Sequence, residues 1–161
     1  MTNMKKLLSS LTLLAMSLVA MAQDNDYSRW MSNLDDDAFV CQLSIPGAHD
    51  ACASSFSGIL SPIYKSLAQT QSKSVQDMLP SGVRAFDLRP CVSGNKLHIN
   101  HGAATTSYDF DPIMQQLCSF VDANPTEFCI VVIRHETEGD GNSPKFGDLL
   151  REQRLGRKRY G

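Results

Sequence analysis

Asp111-Pro112-Ile113-Met114-Gln115-Gln116-Leu117-Cys118-Ser119-Phe120-Val121-Asp122-Ala123-Asn124-Pro125, followed after Thr126-Glu127 by Phe128-Cys129-Ile130-Val131-Val132-Ile133, decides the fold class. The first part is helical in period. Ile113, Met114, Leu117, Phe120 and Val121 form one apolar stripe, read here as core, and Asn124-Pro125 ends it. Asp111 can cap this helix, with Pro112 at the first helical position, where its missing N–H is harmless. The second part is an unbroken apolar run of the kind shown by a parallel strand covered on both faces.

The same alternation extends toward the N-terminus. Residues 83–89 (Val-Arg-Ala-Phe-Asp-Leu-Arg) read as a strand, and residues 97–101 as another, with Pro90 and Ser93-Gly94-Asn95 turning the chain between them. Val75, Met78 and Leu79 fall at helical spacing within 72–79, which Pro80-Ser81-Gly82 closes. Residues 39–45 read as a short strand stopped by Pro46-Gly47, and 51–61 as a loop rich in Ser, Ala and Gly. A last helix begins near Pro144, after a polar, glycine-bearing stretch from Glu136 to Ser143. Strands alternating with helices predict an α/β fold with a parallel sheet, either a (β/α)8 barrel or an open doubly wound sheet. No GxGxxG turn follows a strand, so a dinucleotide fold has no positive support.

Residues 1–22 read as a secretory signal peptide rather than as structure. Lys5 and Lys6 precede a largely apolar stretch from Leu7 to Val19, and Ala20-Met21-Ala22 supplies small residues for cleavage. That predicts a protein released to the periplasm or outside the cell. The stretch is short for a membrane-spanning helix, and Gln23 in place of a cysteine gives no sign of lipid attachment. The 161 residues carry a formal net charge of −2, which lacks the basic face a nucleic-acid partner needs. Five cysteines, an odd number, show no CxxC or zinc-like spacing; Cys118 and Cys129 sit in apolar runs and read as small hydrophobes.

Polar residues on these strands point to chemistry. His49 and Asp50 follow the first strand. Asp87 and Arg89 are two apart at the end of the next and share one face, with Phe86 and Leu88 on the other. His101 ends the third, on a face with Leu97 and Ile99. His98 faces away, and His135 has no evident role. Ligands and catalysis gather at the C-terminal ends of parallel strands. Two histidines and an arginine suit phosphodiester cleavage: one histidine takes the proton of an attacking hydroxyl, the other protonates the departing oxygen. Arginine matches the two-oxygen face of a phosphate and stays charged. Asp50 and Asp87 can fix the tautomers. A metal held by His49, Asp50, Asp87 and His101 is the competing chemistry, disfavoured by the fixed cation of Arg89.

At these residues the chain resembles a known family. Leu43-Ser44-Ile45-Pro46-Gly47-Ala48-His49-Asp50 is similar to the opening motif of bacterial phosphatidylinositol-specific phospholipase C. Thr70-Gln71, Val75-Gln76, Leu79 and Gly82-Val83-Arg84-Ala85-Phe86-Asp87-Leu88-Arg89 resemble its next segments, and His101-Gly102 and Asn124-Pro125-Thr126-Glu127 also fit, in order, over roughly 39–136. The resemblance implies the N-terminal part of a (β/α)8 TIM-type barrel of the X-domain kind. It implies His49 as general base toward the inositol 2-hydroxyl, His101 as general acid, and Arg89 on the phosphate. Asp50 and Asp87 orient these groups, and Arg134 loosely matches a substrate-contacting position. It further implies catalysis without a metal or other cofactor, on a phospholipid substrate at a membrane surface approached peripherally, giving diacylglycerol and a cyclic inositol phosphate.

Such a barrel needs ~250 residues, so residues 23–161 are expected to hold an incomplete one, with the barrel pattern ending after about residue 145. The basic tail 151–161 is expected to fall outside the βα pattern. Two alternatives remain beside the phospholipase reading: a metal-dependent glycerophosphodiester-type phosphodiesterase, and a non-catalytic lipid-binding remnant.

Overall fold

A computed structural model describes residues 26–136 and 144–155. The expected signal peptide, and the tail beyond 155, lie outside the described residues. No described helix is long and apolar enough to cross a membrane.

Two three-stranded sheets meet at one residue. The first is parallel, with β1 (Gly47–Ala48) beside β2 (Ala85–Leu88) and β2 beside β6 (Ile130–Ile133). The second is an antiparallel meander of β3 (Pro90–Ser93), β4 (Lys96–His101) and β5 (Ala104–Asp109). Only Arg89 separates β2 from β3, so the chain leaves one sheet and enters the other there. Helices α1 (Ser61–Ala68) and α2 (Val75–Met78) fill the crossover from β1 to β2, and α3 (Phe110–Ala123) the approach to β6. Parallel strands that keep chain order, each reached through helix, are successive units of a barrel; a doubly wound sheet reverses its order partway.

The core lies between the sheets and their helices. Phe86 and Leu88 are fully buried on β2, Leu97 and Ile99 on β4, and Phe110, Ile113 and Leu117 come from α3. The expected alternation on β2 therefore holds, with Phe86 and Leu88 inward. Ser74 caps α2, its hydroxyl accepting the Asp77 N–H at 3.2 Å. A buried ion pair joins the lower ends of β2 and β6. Arg84 Nε lies 2.9 Å from Glu127 Oε2, and Arg84 also donates to the carbonyls of Tyr27, Ser28, Leu79 and Val83. Glu127 in turn accepts the Met31 N–H at 2.9 Å. Both charged side chains have no exposed surface.

Several expectations are corrected. Residues 39–45 form no strand: Val40–Gln42 is a 3₁₀ turn in which the Gln42 amide oxygen accepts the Phe39 N–H, and β1 starts after Pro46 rather than ending before it. The loop expected over 51–61 runs into α1, which the sequence reading missed along with β5. Helix α3 begins at Phe110 with Asp109 in the cap position, so Pro112 sits inside the first turn. The strand expected over 97–101 belongs to the antiparallel meander and is not a barrel strand. Apolar β6 is not covered on both faces among the described residues, with Val132 54% exposed. Helix α4 (Pro144–Leu155) begins at Pro144 as expected and runs on through the first five residues of the tail that was expected to fall outside the βα pattern. No disulfide links the described cysteines; Cys52 and Cys91 are buried, while Cys118 and Cys129 are only half-buried.

Candidate active site

Five of the six residues singled out from sequence converge at the C-terminal end of the parallel sheet. His49 and Asp50 occupy the turn that leaves β1. Asp50 has a left-handed backbone, φ 44°, a conformation that aspartate tolerates better than most residues. This bend turns its carboxylate inward, leaving it 2% exposed, while the His49 ring stays 66% exposed. Thr70 and Gln71, on the segment after α1, hold the turn by donating to the carbonyls of His49 and Asp50.

Asp50 is the hub. Its Oδ1 lies 2.8 Å from Arg89 Nε, and its Oδ2 lies 3.1 Å from His49 Nε2 and 3.5 Å from His101 Nε2. These are close ion-pair distances without well-directed hydrogen bonds, so neither buried oxygen is saturated. Burial pushes the Asp50 carboxyl above its ordinary value, against the pull of Arg89, His101 and His49. Asp87 behaves the opposite way. Burial alone would raise it, but the Arg89 hydrogen bond and charge, the Asp50 N–H and His49 outweigh that and hold it low. The Arg89 guanidinium is itself kept charged: its partial burial is outweighed by Asp87, Asp50 and Glu136.

The histidine rings are held differently. His49 faces a carboxylate at each nitrogen, Nδ1 lying 3.0 Å from Asp87 Oδ2 and Nε2 3.1 Å from Asp50 Oδ2, and the nearer Asp87 contact places a hydrogen on Nδ1. His101 Nδ1 lies 2.8 Å from the Ala68 carbonyl, so Nε2 is the atom turned into the site.

His101 reaches this place by a different route from the one expected. The β3–β4 hairpin folds back with Pro90 opposite Ile99, and Asn100 N donates to the Arg89 carbonyl at 3.2 Å. The end of β4 thus returns to the residue where β3 began, carrying His101 beside Arg89. His98, as expected, points elsewhere, its Nδ1 2.6 Å from Asp109. Arg134 stands apart: its backbone N–H donates to the Leu88 carbonyl, and the residue is exposed beyond the end of β6.

Glu136 is the participant that sequence reasoning missed. Its Oε2 lies 3.3 Å from Arg89 Nη1 and its Oε1 accepts the Gly102 N–H at 2.6 Å. Nothing in the polar run after β6 marks this residue, because its partners lie in other elements.

The donor set His49, Asp50 and Asp87 places three ligand atoms within 4.8 Å of one another, close enough to hold a cation. Arg89 already ion-pairs both carboxylates, at 2.8 Å from Asp50 and 3.0 Å from Asp87, and a fixed guanidinium there repels a second cation. The arrangement gathers two imidazoles and a permanent cation around two carboxylates.

Comparisons with known proteins bear on the same region. No family model matches the chain. It is 29% identical over 133 residues to a 1-phosphatidylinositol phosphodiesterase of Staphylococcus aureus (strain Newman), covering 81% of this chain and 42% of that protein. The protein of the same name from Listeria monocytogenes is 33% identical over 109 residues, covering 67% of this chain and 33% of the relative. The solved phosphatidylinositol-specific phospholipase C of Listeria monocytogenes superposes with a TM-score of 0.68 at 27% identity, over 81% of this chain and 46% of that one. A variant of the Staphylococcus aureus enzyme superposes with a TM-score of 0.71 at 24% identity, over 85% of this chain and 45% of that one. The chain therefore spans less than half the length of the relatives it matches. Over that span, in sequence and in its partial barrel, it belongs to the bacterial phosphatidylinositol-specific phospholipase C family.

Proposed function

We propose that this chain carries the acid–base half-site of a phosphodiesterase that cleaves phosphatidylinositol without a metal. The observation that carries the reading is the convergence of Arg89, His49 and His101 on the single carboxylate of Asp50, at 2.8, 3.1 and 3.5 Å.

His49 Nε2 takes the proton of the inositol 2-hydroxyl, whose oxygen attacks phosphorus. The bond from phosphorus to the glycerol oxygen breaks, and His101 gives that oxygen the proton on Nε2. The products are a cyclic inositol phosphodiester and diacylglycerol. Asp87 keeps His49 in the required tautomer, and the negative Asp50 favours the protonated state of His101 before transfer. Arg89 offers its guanidinium to the phosphate oxygens as negative charge builds on them. Arg134 is a candidate contact for the inositol ring only.

The substrate lies in a membrane, and α1 supports a peripheral approach. Ile59, Leu60, Ile63 and Leu67 are all exposed on or just before this helix, Ile59 at 98% and Leu67 at 81%. Exposed apolar side chains gathered in this way suit the boundary of a lipid layer. Residues 1–22 are read as the export leader, which N-terminal sequencing of the released protein checks.

The test is release of cyclic inositol phosphate from phosphatidylinositol vesicles with chelator present. Full activity in chelator supports the reading. Activity abolished by chelator and restored by a divalent ion instead assigns the cluster of His49, Asp50 and Asp87 to a metal-dependent phosphodiesterase. Vesicle binding with no cleavage under either condition makes the chain a lipid-binding module.

A further inference from the structure

We propose that Glu136 is a positioning residue that locks the cation and the acid of the site into one geometry; this rests on the phosphodiesterase reading above. Arg89 and His101 belong to different sheets. Arg89 stands at the end of parallel β2, and His101 at the end of antiparallel β4. The Asn100 N–H on the Arg89 carbonyl brings the two backbones together, but it does not fix how the long guanidinium side chain stands against the imidazole.

Glu136 is placed to do this. It follows β6, the neighbour of β2 in the parallel sheet, and its two carboxylate oxygens serve two different partners. Oε2 faces Arg89 Nη1 at 3.3 Å, and Oε1 accepts the N–H of Gly102, the residue after His101, at 2.6 Å. Gly102 sits at φ +56° in the turn from β4 to β5, a conformation that aims its N–H out of the meander. The Glu136 side chain is 9% exposed and its Arg89 contact is partly buried, while the Gly102 contact lies at the surface. Arg89 Nε and Nη2 are held by Asp50 and Asp87. Glu136 takes the remaining edge and keeps the guanidinium from rotating about that anchor.

The chemistry of the residue explains why a glutamate suits the place. A carboxylate accepts at both oxygens. Glutamine has one acceptor, so satisfying Gly102 turns its NH₂ toward Arg89, donor against donor. Alanine loses both contacts.

Two variants of the full chain, Glu136→Gln and Glu136→Ala, labelled with ¹⁵N, test this whether or not substrate is cleaved. NMR reads the Arg89 Nε–H, the His101 ring nitrogens and amide exchange at Gly102, with Phe86 in the core as control. Expected is a shift of the Arg89 and His101 signals in both variants. Gly102 exchange is expected to rise at least tenfold in the alanine variant, with Phe86 unchanged. Where the wild type turns over, kcat is expected to fall about 10²-fold in the alanine variant with KM changed less than threefold, as a misplacement of roughly 1 Å produces. Unchanged Arg89 and His101 signals in the glutamine variant would overturn the proposal. Loss of Phe86 protection together with Gly102 would also overturn it, by making Glu136 a stability residue. An inactive wild type with the shifts as expected sinks the proposed reaction and leaves the positioning intact.

Discussion

His101 Nδ1 lies 2.8 Å from the carbonyl oxygen of Ala68, the last residue of α1. A carbonyl only accepts, so the hydrogen sits on Nδ1 and the ring presents Nε2 to the site. The helix with the most exposed apolar side chains among those described therefore also orients His101.

Replacing His101 by asparagine separates these two duties. The asparagine amide can still donate to Ala68, but it cannot deliver a proton. His101→Asn is expected to lower kcat on phosphatidylinositol by about 10²–10⁴-fold with little change in thermal unfolding. With a synthetic inositol phosphodiester whose leaving group needs no proton, the loss should shrink to less than tenfold. An equal loss on both substrates would show that His101 is not the acid.

Asp50 and Asp87 are expected to respond to pH in opposite senses. Asp50 is raised, chiefly by burial, so the folded state holds its proton more tightly than the unfolded state. Its contribution to stability falls as pH rises through the window above the ordinary carboxylate value. Asp50→Asn is thus expected to be more stable than wild type at pH 7, with the gap closing in acid, and to be inactive. Asp87 is lowered despite its burial, mainly through Arg89, so its contribution is present at neutral pH and lost as pH falls below that value. Asp87→Asn should cost about 1–2 kcal/mol at pH 7 and nothing in strong acid. Urea unfolding at pH 7 and pH 3 checks both signs.

The site was legible in sequence where strand alternation carried it. Phe86 and Leu88 demanded an inward face, which put Asp87 and Arg89 together on the other side. His101 was found for an incomplete reason. It does end a strand, but an antiparallel one, and the hairpin closing at Asn100 and Arg89 brings it home. Residues 39–45 misled because an apolar run does not reveal that Gln42 bonds back to Phe39. Glu136 left no trace, since its partners Gly102 and Arg89 are distant in the chain and neither sets a periodicity. Helix α1 escaped notice because its apolar residues face water instead of making a core stripe.

The buried pair of Arg84 and Glu127 ties the N-terminal segment to the lower ends of β2 and β6. Glu127→Ala leaves a guanidinium with no exposed surface facing Phe120, whose ring centroid is 4.5 Å away, and no carboxylate. Loss of roughly 3–5 kcal/mol is expected, measured by urea unfolding. A change under 1 kcal/mol would mean that water reaches the site and replaces the glutamate.

Polar substitution on α1 and just before it should divide interfacial from intrinsic activity. Ile59→Ser with Leu67→Ser is expected to weaken sedimentation with phosphatidylinositol vesicles about tenfold or more, as loss of buried apolar area predicts. Cleavage of a short-chain, monomeric substrate should change less than twofold. Equal losses on both would place α1 in the chemistry rather than at the lipid boundary.

The junction at Arg89 also sets an order of events during folding. The meander closes through near neighbours, Ser93 against Lys96 and His101 against Ala104. The parallel sheet must bring Gly47 to Ala85 and Ala85 to Ile130 across long intervening segments. Local pairings form sooner than distant ones. Pulsed hydrogen exchange should therefore protect the amides of Cys91 and His98, which face each other as a hydrogen-bonded pair, before that of Phe86. On that order His101 stands on a formed hairpin before His49 and Asp87 reach it, and the cluster around Asp50 is the last part of the fold to assemble.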